Sequence, residues 1–296
     1  MSTLLVPRAL DSVQSWDYEA DVVVAGFGIA GVCAAITAAE ADADVLVLER
    51  TSSWGGAAAL AGGFVYLGGG TAVQQACGFT DSAASMNAFL TTAMGPRVDA
   101  DKIDAYCDGS VEHFDWLVER GVVFKPSFYD QPGWEPQTDD GLQYTGGENA
   151  APFSALAAPA PRGHVPQMDN KKSGVRGGGY MLMKPLAVKA ATLGVRAEYD
   201  MRVQRLVTDP TGRVVGILAK QYGTEVAVRA RRGVVLATGS FAYNDDMVAP
   251  MHRHSSGVPQ PALKSTTACP SAWPRPLGPT SRTWTPPRSW SGATRS

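Results

Sequence analysis

Gly26, Gly28 and Gly31 form a Gly-x-Gly-x-x-Gly between an apolar run, Val22 to Ala25, and an Ala-rich stretch, Ile29 to Glu40. Phosphate binding explains the spacing. The first glycine permits a tight turn, the second lets a pyrophosphate approach the backbone, and the third lets helix and strand pack closely. The N–H groups of Ile29, Ala30 and Gly31, at the start of the helix, have no intrahelical acceptor and face an anion. A second apolar run, Val45 to Leu48, ends on Glu49, whose carboxylate can accept hydrogen bonds from an adenosine ribose. Glycines alone would mark turns; strand, helix, strand and acid at these distances predict an α/β, Rossmann-like domain that binds a dinucleotide.

The segments around this fingerprint must position it. After Arg50 the chain does not go directly to another helix, as a nicotinamide-binding domain would. It runs through Gly55-Gly56-Ala57 and Gly62-Gly63, a loop whose backbone amides can lie along a longer cofactor. Gly233 to Gly239 reads as a further buried strand that ends in the small residues Ala237, Thr238 and Gly239, as needed where a strand end abuts a cofactor. Asp81 or Ser82 is placed to cap a helix running to about Met94. Asp99 or Asp101 is placed to cap another through Arg120, closed by Gly121, and Tyr180 to Leu193 is a third, closed by Gly194. Residues 201–207, 214–221 and 225–230, with a turn at Asp209 to Gly212, predict an antiparallel β-meander inserted before the last strand. Prolines and glycines crowd residues 125–179, which read mostly as loop.

Composition sets the outer limits. The 296 residues, 45% hydrophobic, suffice for a sizeable core. A net charge of −2 gives no reason to expect nucleic acid, yet the last 46 residues hold six of the 26 Lys and Arg and none of the 28 Asp and Glu. The expected division is a loose leader at 1–17, one domain at 18–249, and an irregular Pro/Ser/Arg-rich tail at 250–296. Two readings of the tail stand: a disordered adaptor, or translation out of frame. The four cysteines form no C-x-x-C pair, so no metal site is expected. No run of about 18 apolar residues occurs and the apolar patch at the N-terminus is too short for a signal peptide, which makes the cytoplasm the expected compartment.

The fingerprint, the glycine-rich loop and the Ala237-Thr238-Gly239 strand end together resemble the FAD-binding domain of the fumarate reductase and succinate dehydrogenase flavoprotein family, most of all its 3-ketosteroid dehydrogenase branch. The resemblance covers about Tyr18 to Val248. It implies that FAD is held by Gly26, Gly28, Ile29, Ala30, Gly31, Glu49, Arg50, Gly55, Gly56, Ala57, Gly62, Gly63, Ala237, Thr238 and Gly239, with Val203 meeting the adenine through its backbone. Ala57 and Ala61 stand where the family usually has hydroxyl side chains, an expected cost in affinity. No His lies between residues 50 and 70, so the flavin is expected to be non-covalent. By the same resemblance Tyr129 is the candidate catalytic residue, and a steroid or related enone is the substrate of intact relatives. The implied activity is a flavin-dependent dehydrogenase or reductase acting on a C–C bond. A truncated, non-catalytic FAD-binding remnant is the alternative, and an NAD(P)-binding dehydrogenase domain is a further one. Among other polar residues, His113 reads as packed or exposed rather than catalytic. Arg162 and His164 could meet an anion, or simply sit in a solvated loop.

Overall fold

This computed structural model describes residues 6–96, 98–131, 133, 135–168 and 178–242; the expected tail, and Gly177 of the triple glycine, lie outside them. The strands are β1 Arg8–Ala9, β2 Tyr18–Ala25, β3 Val45–Leu48, β4 Val65–Tyr66, β5 Leu142–Gln143, β6 Gly163–His164, β7 Arg196–Glu198, β8 Met201–Thr208, β9 Val214–Gln221 and β10 Thr224–Leu236. The α-helices are α1 Ile29–Glu40, α2 Gly56–Leu60, α3 Ala72–Ala76, α4 Ala83–Met94, α5 Ala100–Asp108, α6 Ser110–Glu119 and α7 Gly178–Thr192.

One sheet has the order β1-β8-β9-β10-β2-β3-β7. Its β10, β2, β3 and β7 run parallel, with Val22 opposite Val45 and Ala25 opposite Leu48. Such strands are covered on both faces, which is why they read as continuous apolar runs. Val24, Val45 and Val47 meet α1 and α7 through Val32, Ile36, Met183 and Leu186. On the opposite face Ala20, Val23, Leu46 and Leu48 join Met201, Ile217 and Val228 of the meander β8-β9-β10.

Three expectations are corrected. The meander strand at 225–230 and the strand from Gly233 are one element, β10, whose register shifts between Ala230 and Gly233. Its two edges pair at once, antiparallel with β9 over Thr224 to Arg229 and parallel with β2 on both sides of the shift. The helix expected from Asp99 or Asp101 to Arg120 is two, α5 and α6, parted at Gly109, a poor helix former. The leader is not loose over its described part. Arg8 and Ala9 pair with Val207 and Thr208, and Leu10, Val13 and Trp16 pack on Val207, Leu218 and Ala227, covering apolar surface the meander would otherwise expose.

Among the remaining described residues, α3 to α6 form a cap with a small antiparallel sheet, β4-β6-β5. Ser82 and Asp99 cap α4 and α5 as the sequence suggests, accepting from the N–H groups of Ser85 and Lys102. Among the described residues no helix is long and apolar enough to cross a membrane.

Candidate functional site

The fingerprint lies at the carboxyl ends of β2 and β10, where open α/β sheets place their ligands. Gly26 adopts φ +105°, and a Cβ there would stand 2.4 Å from the carbonyl oxygen of Ala237. A Cβ on Gly31 would stand 1.9 Å from the carbonyl of Gly26, so helix and strand meet at a distance only glycine allows. Gly28 differs. The nearest atom to a Cβ on it is 4.0 Å away, the carbonyl oxygen of Gly55, so the space in front of this residue is open. Gly28 is the N-cap of α1 and brings no side-chain cap to the helix start. An open glycine at an uncapped helix start fits the phosphates of a dinucleotide.

Glu49 is nearly buried and shapes the turn. Its Oε2 accepts the Phe27 N–H at 2.7 Å, and its Oε1 accepts the N–H and hydroxyl of Thr51, each at 2.9 Å. A carboxylate offers about four lone-pair sites, so the same group retains capacity for a ribose. Arg50 follows it at the end of β3.

The glycine-rich loop lies beside the fingerprint, as expected. Gly55 donates its N–H to the Phe27 carbonyl at 2.9 Å, and a Cβ on Gly56 would stand 3.5 Å from Gly28 Cα. Gly56 and Ala57 open α2. Beyond it Gly62 and Gly63 lie backbone to backbone against Gly178, while the Gly179 N–H donates to the Ala61 carbonyl at 3.1 Å. Trp54 and Tyr180 stack across this junction with centroids 5.5 Å apart. Ala237 donates its N–H to the Ala25 carbonyl, carrying Thr238 and Gly239 past the fingerprint. Val203 of β8 pairs with Ala219 of β9, next to a register shift, and β1 pairs with β8 at Val207 and Thr208.

Tyr129 is half-buried beside β5, its N–H donating to the Leu142 carbonyl at 2.9 Å. Its ring carbon Cε1 lies 3.9 Å from a Cβ position on Gly133, and Glu135, on the same loop, reaches Gly62. Phe128, which precedes it in the chain, forms an edge-to-face group with Phe79 and Tyr144. His113 is in a cleft with Cys33, Thr37 and Trp116 on the α1–α6 side; burial lowers its pKa and raises that of Cys33 to about 11.

Arg162 and His164 are neither solvated nor open to an anion. Both are fully buried. Arg162 closes on Asp81 with hydrogen bonds of 2.9 and 2.8 Å, and Asp81 also accepts the Gly69 N–H and the Gln74 amide. Burial would raise the Asp81 pKa, but Arg162 and these donors hold it below the usual range. His164 lies 3.1 Å from the Arg162 carbonyl through Nδ1 and 2.8 Å from the Thr71 hydroxyl through Nε2. A carbonyl only accepts, so Nδ1 carries the proton and Nε2 accepts from Thr71. Burial drives the His164 pKa down to about 4. Asp81 was singled out only as a possible helix cap and Gln74 and Thr71 not at all, though Thr71-x-x-Gln74 is a legible capping box and forms one.

The FAD binding domain family model matches residues 21–283, running past the boundary expected near residue 250. A 3-oxo-5-alpha-steroid 4-dehydrogenase of Comamonas testosteroni is 35% identical over 216 residues, 70% of this chain and 38% of that protein. The crystal structure of 3-ketosteroid-Δ4-(5α)-dehydrogenase from Rhodococcus jostii RHA1, in complex with 4-androstene-3,17-dione, is 71% identical with a TM-score of 0.80. It matches 83% of this chain and 51% of its own. An open flavocytochrome c3 fumarate reductase shares the fold, with a TM-score of 0.62 at 23% identity, over 82% of this chain and 38% of its own. The chain thus spans about half the length of its structural relative, or less for the others. With the open glycine cradle in place, the matches show that this chain belongs to the FAD-binding domain family of fumarate reductase-like and ketosteroid dehydrogenase-like flavoproteins, and that its cofactor is FAD.

Proposed function

We propose that this chain supplies the FAD-binding part of a flavin-dependent dehydrogenase acting on a C–C bond of a 3-ketosteroid. The observation that carries the reading is the 71% identity to the Rhodococcus enzyme over 83% of this chain. FAD, when bound, supplies the hydride acceptor. The rest falls to the protein. Gly26, Gly28, Ile29, Ala30 and Gly31 hold the pyrophosphate, Glu49 and Arg50 the adenosine ribose, and Val203 the adenine. Gly55, Gly56, Ala57, Gly62, Gly63, Ala237, Thr238 and Gly239 line the remaining length. Tyr129 exchanges a proton with the steroid, and the neighbouring rings of Phe79, Phe128 and Tyr144 suit a flat apolar substrate. Attachment of FAD is non-covalent, since no His stands between residues 50 and 70. The free thiols of Cys33, Cys77 and Cys107 suit the reducing cytoplasm.

The test is to load the purified chain with FAD and supply saturated 3-ketosteroids with an artificial electron acceptor. Steroid-dependent turnover that falls about 100-fold or more in Tyr129→Phe, as loss of a general acid–base group gives, supports the reading. FAD binding with no steroid-dependent turnover favours the second reading, a flavin-binding remnant.

A further inference from the structure

The glycine-rich loop beside the fingerprint is built almost without side chains. Residues 55–63 read Gly-Gly-Ala-Ala-Ala-Leu-Ala-Gly-Gly, and Leu60, the one large residue, is 74% exposed. Small residues let backbones meet. A Cβ on Gly179 would stand 2.0 Å from the Ala58 carbonyl oxygen, and one on Gly55 would stand 2.6 Å from the Ala59 Cβ, so α2 and the first turn of α7 close together as bare chain. The same composition leaves little to hold the loop in place. α2 is five residues long, its N-cap Gly55 brings no side-chain hydrogen bond, and a helix of that length is not stable by itself. Trp54, immediately before Gly55, is the large side chain that ties the segment down. It packs against the core, and its ring stacks on Tyr180 of α7 with centroids 5.5 Å and planes 24° apart. Tyr180 is 47% exposed, so the stack is a surface feature rather than part of the core.

We propose that Trp54 and Tyr180 form a clasp that holds the loop of residues 55–63 in the shape FAD needs, acting as positioning residues for the cofactor. The inference rests on the placement of FAD along this loop proposed above. The clasp joins two elements at the start of the loop, while the Gly179 N–H holds the Ala61 carbonyl at 3.1 Å near its end. With both ties closed, the backbone amides between them are fixed before the cofactor arrives. With the stack gone, the start of the loop keeps only the Gly55 N–H bond to the Phe27 carbonyl and the packing of Ala58 and Ala59. The loop then visits other conformations, and the apparent affinity for FAD falls in proportion to the fraction still in the competent one. Loss of one aromatic pair changes such a fraction by up to about tenfold.

The experiment is an FAD titration of the full chain, with the urea-unfolding midpoint of each FAD-free variant measured alongside. Tyr180→Ala is expected to weaken FAD binding about tenfold and to leave the midpoint near that of the wild type. Tyr180→Phe, which keeps the ring, should bind FAD as the wild type does. Hydrogen exchange gives a second reading: in FAD-free Tyr180→Ala the amides of residues 55–63 should exchange faster than in the wild type while those of β2 stay protected. Wild-type affinity or unchanged loop exchange in Tyr180→Ala overturns the inference alone, as does a loss in Tyr180→Phe equal to that in Tyr180→Ala, or a midpoint that falls in parallel with affinity. Should Tyr180→Ala not fold, Tyr180→Leu, which keeps apolar bulk without a ring, decides by the same readings. A wild-type chain that binds no FAD removes the underlying reading as well.

Discussion

The glycine cleft around Gly28 and the polar centre around Arg162 are both built beside glycine-rich loops, and they use their polar groups in opposite ways. In the centre, Arg162, Asp81, Gln74, Thr71 and His164 are turned on one another, and the backbone of Gly69 and Gly70 is tied down by Asp81 and Gln74. In the cleft, side chains are missing where a ligand is to come: a Cβ on Gly28 meets nothing nearer than 4.0 Å. The arginine and histidine, which invite a functional reading, stabilise the cap. The residues without side chains leave the open space proposed for FAD.

Substitutions should separate the two regions. The largest expected effect is Arg162→Leu, which strands Asp81 as an uncompensated buried charge and should cost about 3–5 kcal/mol in unfolding free energy, measured by urea denaturation. A loss below 1 kcal/mol would mean that the centre is not closed as described. Next comes pH. In the folded chain the His164 pKa is pushed down to about 4 from 6.5. Between these values the unfolded chain binds the proton first, so stability should be complete above 6.5 and fall as pH drops toward 4, by on the order of 3 kcal/mol. His164→Gln should flatten that limb, and an unchanged limb would contradict a neutral, buried His164.

The cleft should respond in affinity instead. Gly28→Val fills the space in front of the fingerprint and should weaken FAD binding at least 100-fold, about 2.7 kcal/mol, while the unfolding midpoint of the FAD-free chain moves little. A parallel fall in both would erase the contrast. The smallest expected change is a gain. Ala57→Ser restores a hydroxyl where relatives usually carry one and should tighten FAD binding by up to about tenfold, one net hydrogen bond, read by flavin titration.

Much of the cleft was legible because its signals are local. Val22 to Ala25, Ile29 to Glu40 and Val45 to Leu48 are continuous runs whose periodicity and glycine spacing arise within a few residues, and the helix and second strand have the expected bounds. The centre was not legible, since Arg162 meets Asp81 across 81 positions and His164 meets Thr71 across 93. No local pattern announces such pairs. In the described residues of 125–168 the prolines and glycines signalled mostly irregular chain, but β5 and β6 are two residues each and owe their existence to pairing with one another and with β4. The Leu10, Val13 and Trp16 contacts likewise depend on a meander almost two hundred residues away.

The central claim is that FAD sits non-covalently in the cleft whose floor is Gly28. Its most direct measurement is a titration of the purified chain with FAD, followed by acid precipitation, run side by side on wild type and Gly28→Val. The account expects stoichiometric binding by the wild type, all flavin released into the acid supernatant, and no binding by folded Gly28→Val. A wild-type chain that binds no flavin, flavin that precipitates with the protein, or Gly28→Val that binds as tightly as wild type would contradict it.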